Sequence, residues 1–183
     1  MNLTLERDAL QKALARVTGV VERRNTIPIL SNVLLRADAE GLFLTATDLD
    51  IETRGRIDAK VVTEGAVTAP AGLLSDIVRN APEGAEIALS YGADDPRLIV
   101  KFGRSRYQVP VLPACDYPVA PELHRAAQMA VPAVDLKQAF DRVGFSISTE
   151  EVRYYLKGVF LHLYHDDGAP QLRLVSTDGR RLS

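Results

Sequence analysis

Asp48 and Asp50 lie two apart at the end of the alternating run Leu44-Thr45-Ala46-Thr47. On an extended chain both carboxylates would leave the same side of a strand, a spacing that could hold a divalent cation for hydrolytic chemistry. The matching stretch further on, Asp178-Gly179-Arg180, has no second acid, and no His or Glu pattern completes a site. His124, His162 and His165 are scattered without metal-ligand spacing or the order of a nucleophile triad. Asp48 and Asp178 are therefore expected to hold turns, their carboxylates accepting backbone N–H bonds. Cys115, the single thiol, cannot form an internal disulfide. No catalytic residue, metal site or cofactor is expected. Two other clusters stand out. Arg23-Arg24 falls in a loop between a helix and a strand, where such a pair is ordinarily solvated. Tyr154-Tyr155 stands at a strand entry, where adjacent side chains point opposite ways, so one ring is expected to bury and the other to be presented.

The elements that position these residues come from a chain of 183 residues with net charge −2, 46% hydrophobic and 25% charged. That composition supports a packed core and argues against a disordered or low-complexity chain. The start Met1-Asn2-Leu3-Thr4-Leu5-Glu6-Arg7-Asp8 has neither a basic nor an apolar leader region, and no apolar run approaches the roughly 20 residues of a membrane helix. A cytoplasmic protein with no membrane partner is expected. The charge balance alone does not suggest nucleic acid.

The chain repeats itself. Leu10-Gln11-Lys12-Ala13-Leu14-Ala15-Arg16-Val17 resembles Leu136-Lys137-Gln138-Ala139-Phe140-Asp141-Arg142-Val143, and Leu44-Thr45-Ala46-Thr47-Asp48 matches Leu174-Val175-Ser176-Thr177-Asp178. The second copy is lengthened in its turn, 165–171. Leu10, Ala13, Leu14 and Val17 form a helical apolar stripe; Leu74, Ile77, Val78 and Ala81 form another, and Leu136, Ala139, Phe140 and Val143 a third. Each helix follows a short extended segment: Asn2 to Leu5, Ala66 to Ala69, and Gln128 to Val131. Strands are expected at Ile29 to Ala37, Leu42 to Thr47, Glu52 to Val62, Glu86 to Tyr91, Arg97 to Phe102 and Arg106 to Leu112. The fold class is thus α+β, built from strand-helix-three-strand units with helices on one face of antiparallel sheets. Two units fill 1–120 as one layered domain, a Pro- and Ala-rich linker spans 121–127, and a third unit occupies 128–183. That third unit lacks its pair and is expected to be marginal or to lean on something else.

Several stretches together resemble the bacterial DNA polymerase III β subunit, the sliding clamp. They are Arg24-Asn25-Thr26-Ile27-Pro28-Ile29-Leu30-Ser31-Asn32, Leu44-Thr45-Ala46-Thr47-Asp48-Leu49, Leu74-Ser75-Asp76-Ile77, Pro82-Glu83-Gly84-Ala85-Glu86-Ile87, Gly103-Arg104-Ser105-Arg106, Leu112-Pro113-Ala114-Cys115-Asp116-Tyr117-Pro118, Val152-Arg153-Tyr154-Tyr155-Leu156 and Thr177-Asp178-Gly179-Arg180-Arg181-Leu182. The resemblance covers the whole chain. It implies a DNA clamp fold and a processivity factor, not an enzyme. Such a clamp closes as a homodimer ring around double-stranded DNA without reading its sequence. It tethers the polymerase III alpha subunit, the clamp loader and other proteins bearing clamp-binding motifs. This chain would be the first domain and the first half of the second, a fragment that cannot close the ring alone; six units would need about 370 residues.

Three sites are implied by the resemblance. Arg24, Tyr154 and Tyr155 match residues that contact DNA, with rings able to pack on sugars or bases. Glu150, where a Gln is often found, would bring a carboxylate close to DNA. Arg153, Leu156, Thr177, Gly179, Arg180, Arg181 and Leu182 match one half of a pocket for linear peptide motifs, Arg180 standing where many clamps have His. Without the opposing wall, peptide binding by this chain is expected to be weak or absent. Leu73 and Ile77, with the edge segment Arg104, Ser105, Arg106, Tyr107 and Val109, match the ring-closing face. Lys12, Arg16, Arg79, Lys137 and Arg142 lie off the apolar stripes as a moderately basic lining, which suits sliding because tight phosphate binding would impede it. From the residues alone, a stand-alone protein-interaction module is the other reading.

Overall fold

The computed structural model describes residues 1–21, 26–92, 95–120, 129–164 and 170–183. Arg23, Arg24, His124, His165, all of the linker 121–127 and most of the lengthened turn 165–171 lie outside the described residues. The chain forms two compact units, Met1–Glu122 and Leu123–Ser183.

In the first unit, β1 (Asn2–Glu6) leads into α1 (Arg7–Val17), followed by β2 (Asn32–Asp38), β3 (Gly41–Thr47), β4 (Glu52–Ile57) and β5 (Lys60–Thr63). The pattern then repeats as β6 (Gly65–Pro70), α2 (Ala71–Arg79), β7 (Glu86–Gly92), β8 (Asp95–Phe102) and β9 (Ser105–Pro110). Two antiparallel sheets result, ordered β4-β3-β2-β6 and β5-β1-β7-β8-β9. Each repeat sends its first strand into the other repeat's sheet. β1 pairs with β7 as Leu3↔Leu89 and Leu5↔Ile87, and β6 pairs with β2 as Val67↔Leu35 and Ala69↔Val33, the same register at equivalent places. The two repeats are thereby interlocked by an approximate twofold.

Glu52 to Val62, expected as one strand, divides into β4 and β5, which belong to different sheets. The chain turns the corner there to flank β1. At the equivalent corner Leu112 leaves β9 and bridges Thr68 of β6. Thr68 seals this junction through its N–H and Oγ1, both donating to the Leu112 carbonyl, while accepting from Asn32 Nδ2. Tyr117 follows, buried, its hydroxyl donating to the Asn32 carbonyl; burial pushes its phenol above the ordinary range.

Alternation puts Val33, Leu35, Ala37, Leu42, Leu44 and Ala46 inward, where the stripes of α1 and α2 complete one core. The helices run antiparallel. Arg7 at the start of α1 donates to the carbonyls of Val78 and Arg79 at the end of α2, giving acceptors at a helix C-terminus a cationic partner.

The second unit holds α3 (Ala133–Val143) and a hairpin of β10 (Phe160–Tyr164) and β11 (Gln171–Val175), paired Leu161↔Leu174 and Leu163↔Leu172. Ser176 and Ser183 exchange backbone hydrogen bonds beyond β11, and the Ser176 hydroxyl ties the hairpin to the Val143 carbonyl at the end of α3. The extended segment expected before α3 is absent as a strand over its described residues, 129–131. In the first unit the equivalent segments pair with the other repeat's sheet. In this unit Leu161 is 46% and Phe140 39% exposed, where their counterparts Leu35 and Leu14 are 0% and 1%.

Candidate functional site

The turn after β3 and the turn after β11 are built alike. Thr47 Oγ1 donates to the Ile51 carbonyl and accepts from Leu49 N–H, while Asp48 Oδ1 accepts from the N–H groups of Asp50 and Ile51 at 3.0 and 2.7 Å. Thr177 Oγ1 likewise donates to the Arg181 carbonyl and accepts from Gly179, and Asp178 Oδ1 accepts from Arg180 and Arg181 at 2.9 and 3.0 Å. Asp48 thus turns its carboxylate into its own loop and forms no paired site with Asp50. The N–H groups of Arg180 and Arg181, with the Arg181 guanidinium beside them, hold the Asp178 carboxyl below its usual range. Arg181 Nε lies 2.9 Å from Asp178 Oδ2 and its guanidinium sits 5.4 Å from the Phe145 ring.

Against this second turn lies the loop before β10. Gly179 has φ 86°, and a Cβ there would come within 2.6 Å of Arg153 Nη1. The backbone conformation favours a glycine, and a side chain there would push the flexible end of Arg153 aside. Arg153 in turn pairs with Glu150, Nε to Oε2 3.4 Å. Ser148 N–H donates to the Leu156 carbonyl, and Glu150 N–H to Ser148 Oγ, closing the loop. Arg153, Leu156, Thr177, Gly179, Arg180, Arg181 and Leu182 all sit on these two facing segments. Leu182 is exposed and Leu156 half-buried, so apolar surface lies beside three guanidinium groups.

Tyr154 and Tyr155 depart from the expectation of one buried and one presented ring. They lie in the 3-10 turn Tyr154–Leu156, not in a strand, so adjacent side chains do not alternate. Both rings are exposed, 77% and 71%, and meet edge to face at 5.8 Å. Glu150, expected to approach DNA, is engaged by Arg153. Sequence reasoning also passed over Val152 and Phe145, exposed beside the same loop. Their counterparts in the first repeat are Thr26 and Gly19, so a repeat comparison that tracked small or polar positions turned apolar would have found them.

The remaining predicted residues lie on the first unit. β9 is an edge strand carrying Ser105, Arg106, Tyr107 and Val109, with Arg104 in the turn before it. Arg106 projects outward, Tyr107 stacks on Phe102, and Val109 and Ile77 are in the core, leaving Leu73 as the exposed apolar residue of α2. Lys12, Arg16, Arg79, Lys137 and Arg142 are exposed on their helices; Arg79 is paired with Asp76 and Lys137 with Asp141. Among the described residues, no helix is long and apolar enough to cross a membrane, and no group of three or more His, Cys, Asp or Glu could hold a metal ion.

Residues 1–121 match the family model of the DNA polymerase III beta subunit N-terminal domain, and residues 130–183 that of its central domain. The chain belongs to the DNA polymerase III beta subunit family. Its DNA polymerase III beta subunit relatives include the beta sliding clamp of Caulobacter vibrioides, 50% identical over 183 residues, which are 100% of this chain and 49% of that protein. Among solved structures, a DNA polymerase sliding clamp from Caulobacter crescentus superposes with TM-score 0.91 at 50% identity, over 100% of this chain and 49% of that one. A sliding clamp from Bartonella birtlesii bound to griselimycin gives TM-score 0.90 at 44% identity, over 100% of this chain and 48% of that one. The fold is that of a DNA clamp, and the chain spans about half the length of the beta subunit relatives it matches.

Proposed function

We propose that the protein to which this chain belongs is a sliding clamp: it encircles duplex DNA and tethers the replicative polymerase and repair proteins to it. The observation that carries this is similarity to sliding clamps along the entire chain, at 50% identity and TM-score 0.91. The partners are sequence-independent double-stranded DNA, the DNA polymerase III alpha subunit, the clamp loader and other proteins with clamp-binding motifs, and the full-length protein acts as a homodimer ring in the cytoplasm. It is a tether and not an enzyme, and needs no cofactor. Residues 1–120 form clamp domain I, 121–127 the linker and 128–183 the first half of domain II.

Tyr154 and Tyr155 present two rings for sugar or base contact, together with Arg24, and Glu150, paired with Arg153, brings a carboxylate close to the DNA. Arg153, Leu156, Thr177, Gly179, Arg180, Arg181 and Leu182 form one wall for an extended peptide: Leu156 and Leu182 receive apolar side chains, and the guanidinium groups receive carbonyls or carboxylates. Leu73 and Ile77 with Arg104, Ser105, Arg106, Tyr107 and Val109 make the ring-closing face, Ile77 and Val109 supporting it from within the core. The net charge of −2 suits a protein that holds DNA by enclosure, since its retention needs no tight phosphate contacts.

Retention on DNA tests the proposal. Full-length protein carrying this chain, loaded on a nicked circular plasmid, stays bound through gel filtration in high salt and is released when the plasmid is linearised. Equal retention on linear and circular DNA overturns encirclement.

A further inference from the structure

Arg153 joins the two segments that carry Leu156 and Leu182. It leaves the loop before β10 and ends on the facing turn, where its Nη1 lies so close to Gly179 that a Cβ there would come within 2.6 Å. Its Nε is held by Glu150 Oε2 at 3.4 Å. One guanidinium is thus fixed at two points, by a carboxylate of its own loop and by the glycine of the facing turn. The first repeat shows the same backbone without this arrangement. Thr47 and Asp48 build its turn with the hydrogen bonds that Thr177 and Asp178 make, yet the positions equivalent to Glu150, Arg153 and Gly179 are Arg24, Ile27 and Leu49. The turn is kept while all three side chains are exchanged together. Folding the turn therefore does not require the trio, which leaves its purpose to the surface it forms.

We propose that Glu150 is a positioning residue for partner peptides: it sets Arg153 on Gly179, so that a peptide acceptor meets a guanidinium already oriented. This rests on the peptide wall and the DNA contacts proposed above. An arginine loses rotamer freedom when it binds, and an ion pair that holds it beforehand lowers that cost. The two side chains are 46% and 55% exposed, so the pair contributes as a surface ion pair does, about two- to fivefold in affinity. On DNA the same carboxylate acts with the opposite sign. Tyr154 and Tyr155 follow Arg153 in one 3-10 turn, and Glu150 brings negative charge beside the phosphates that those rings approach. Glu150 thus favours the peptide and opposes a tight grip on DNA, which suits a clamp that slides while holding a partner.

The test uses the full-length protein and two probes: a fluorescein-labelled peptide carrying the clamp-binding motif of the DNA polymerase III alpha subunit, and a labelled short linear duplex at low salt. In fluorescence polarisation, Glu150→Gln is expected to weaken the peptide about two- to fivefold and to tighten the duplex by a similar factor. Glu150→Asp keeps the charge and recovers part of the peptide affinity. With Arg153→Ala in place, Glu150→Gln changes peptide affinity no further. If Arg153→Ala weakens the peptide and Glu150→Gln does not, the wall stands and the positioning role is overturned. If peptide affinity is indifferent to Arg153→Ala, the wall itself is lost and the proposal with it. Weakening of both probes by Glu150→Gln marks general loosening of the loop and also overturns it.

Discussion

Leu49 and Gly179 hold the same place in two copies of one turn, at φ 83° and 86°. For leucine this left-handed conformation costs about 1–2 kcal/mol, and at 59% exposure its side chain recovers little of that by burial. Leu49→Gly is therefore expected to raise stability by up to about 1 kcal/mol in chemical denaturation, the relief being partly offset by glycine's freedom in the unfolded chain. Gly179→Leu is expected to cost about 1–2 kcal/mol and to displace Arg153, whose Nη1 occupies the space of the new Cβ. A destabilised Leu49→Gly would refute the strain. The roles of Asp48 and Asp178 were legible because an Asp just after a strand readily accepts the N–H groups two and three residues ahead and so holds a turn. The Glu150–Arg153 pair was not, since it depends on how a 3-10 turn aims the two side chains.

At the scale of elements, three helices carry one apolar stripe but bury it differently. Leu14 of α1 is 1% exposed, packed in its own repeat and against α2, while Phe140 of α3 is 39% exposed. Leu14→Ala is expected to cost about 2–5 kcal/mol, and Phe140→Ala in this chain less than half as much despite the larger side chain. Equal losses would mean that the face of α3 is already covered. Helices and turns were readable because i, i+3, i+4 spacing and Gly or Pro breaks are local signals. The division of Glu52 to Val62 into β4 and β5 was hidden, because the corner exists only where β5 leaves one sheet to flank β1.

For the whole molecule, the two units differ in how much apolar surface each closes over. Denaturant is expected to unfold the second unit first, in a separate transition, and native-state hydrogen exchange to protect β1, β2, β7 and β8 most and β10 and β11 least. One shared transition with uniform protection would show that the units stand or fall together. The interlocked first unit explains the contrast. Breaking either repeat there removes a strand from the sheet of the other, so its elements open together.

Periodicity, turn residues and the repeat determined which segments are helices and strands, which side of each is apolar, and that the chain contains three similar units, because these follow from neighbours within a few residues. Tertiary structure alone decided that leading strands trade places between repeats, that Glu52 to Val62 divides between two sheets, and that both tyrosines face water. Those outcomes rest on pairing between segments tens of residues apart, where geometry and the presence of a partner, rather than local preference, select the state.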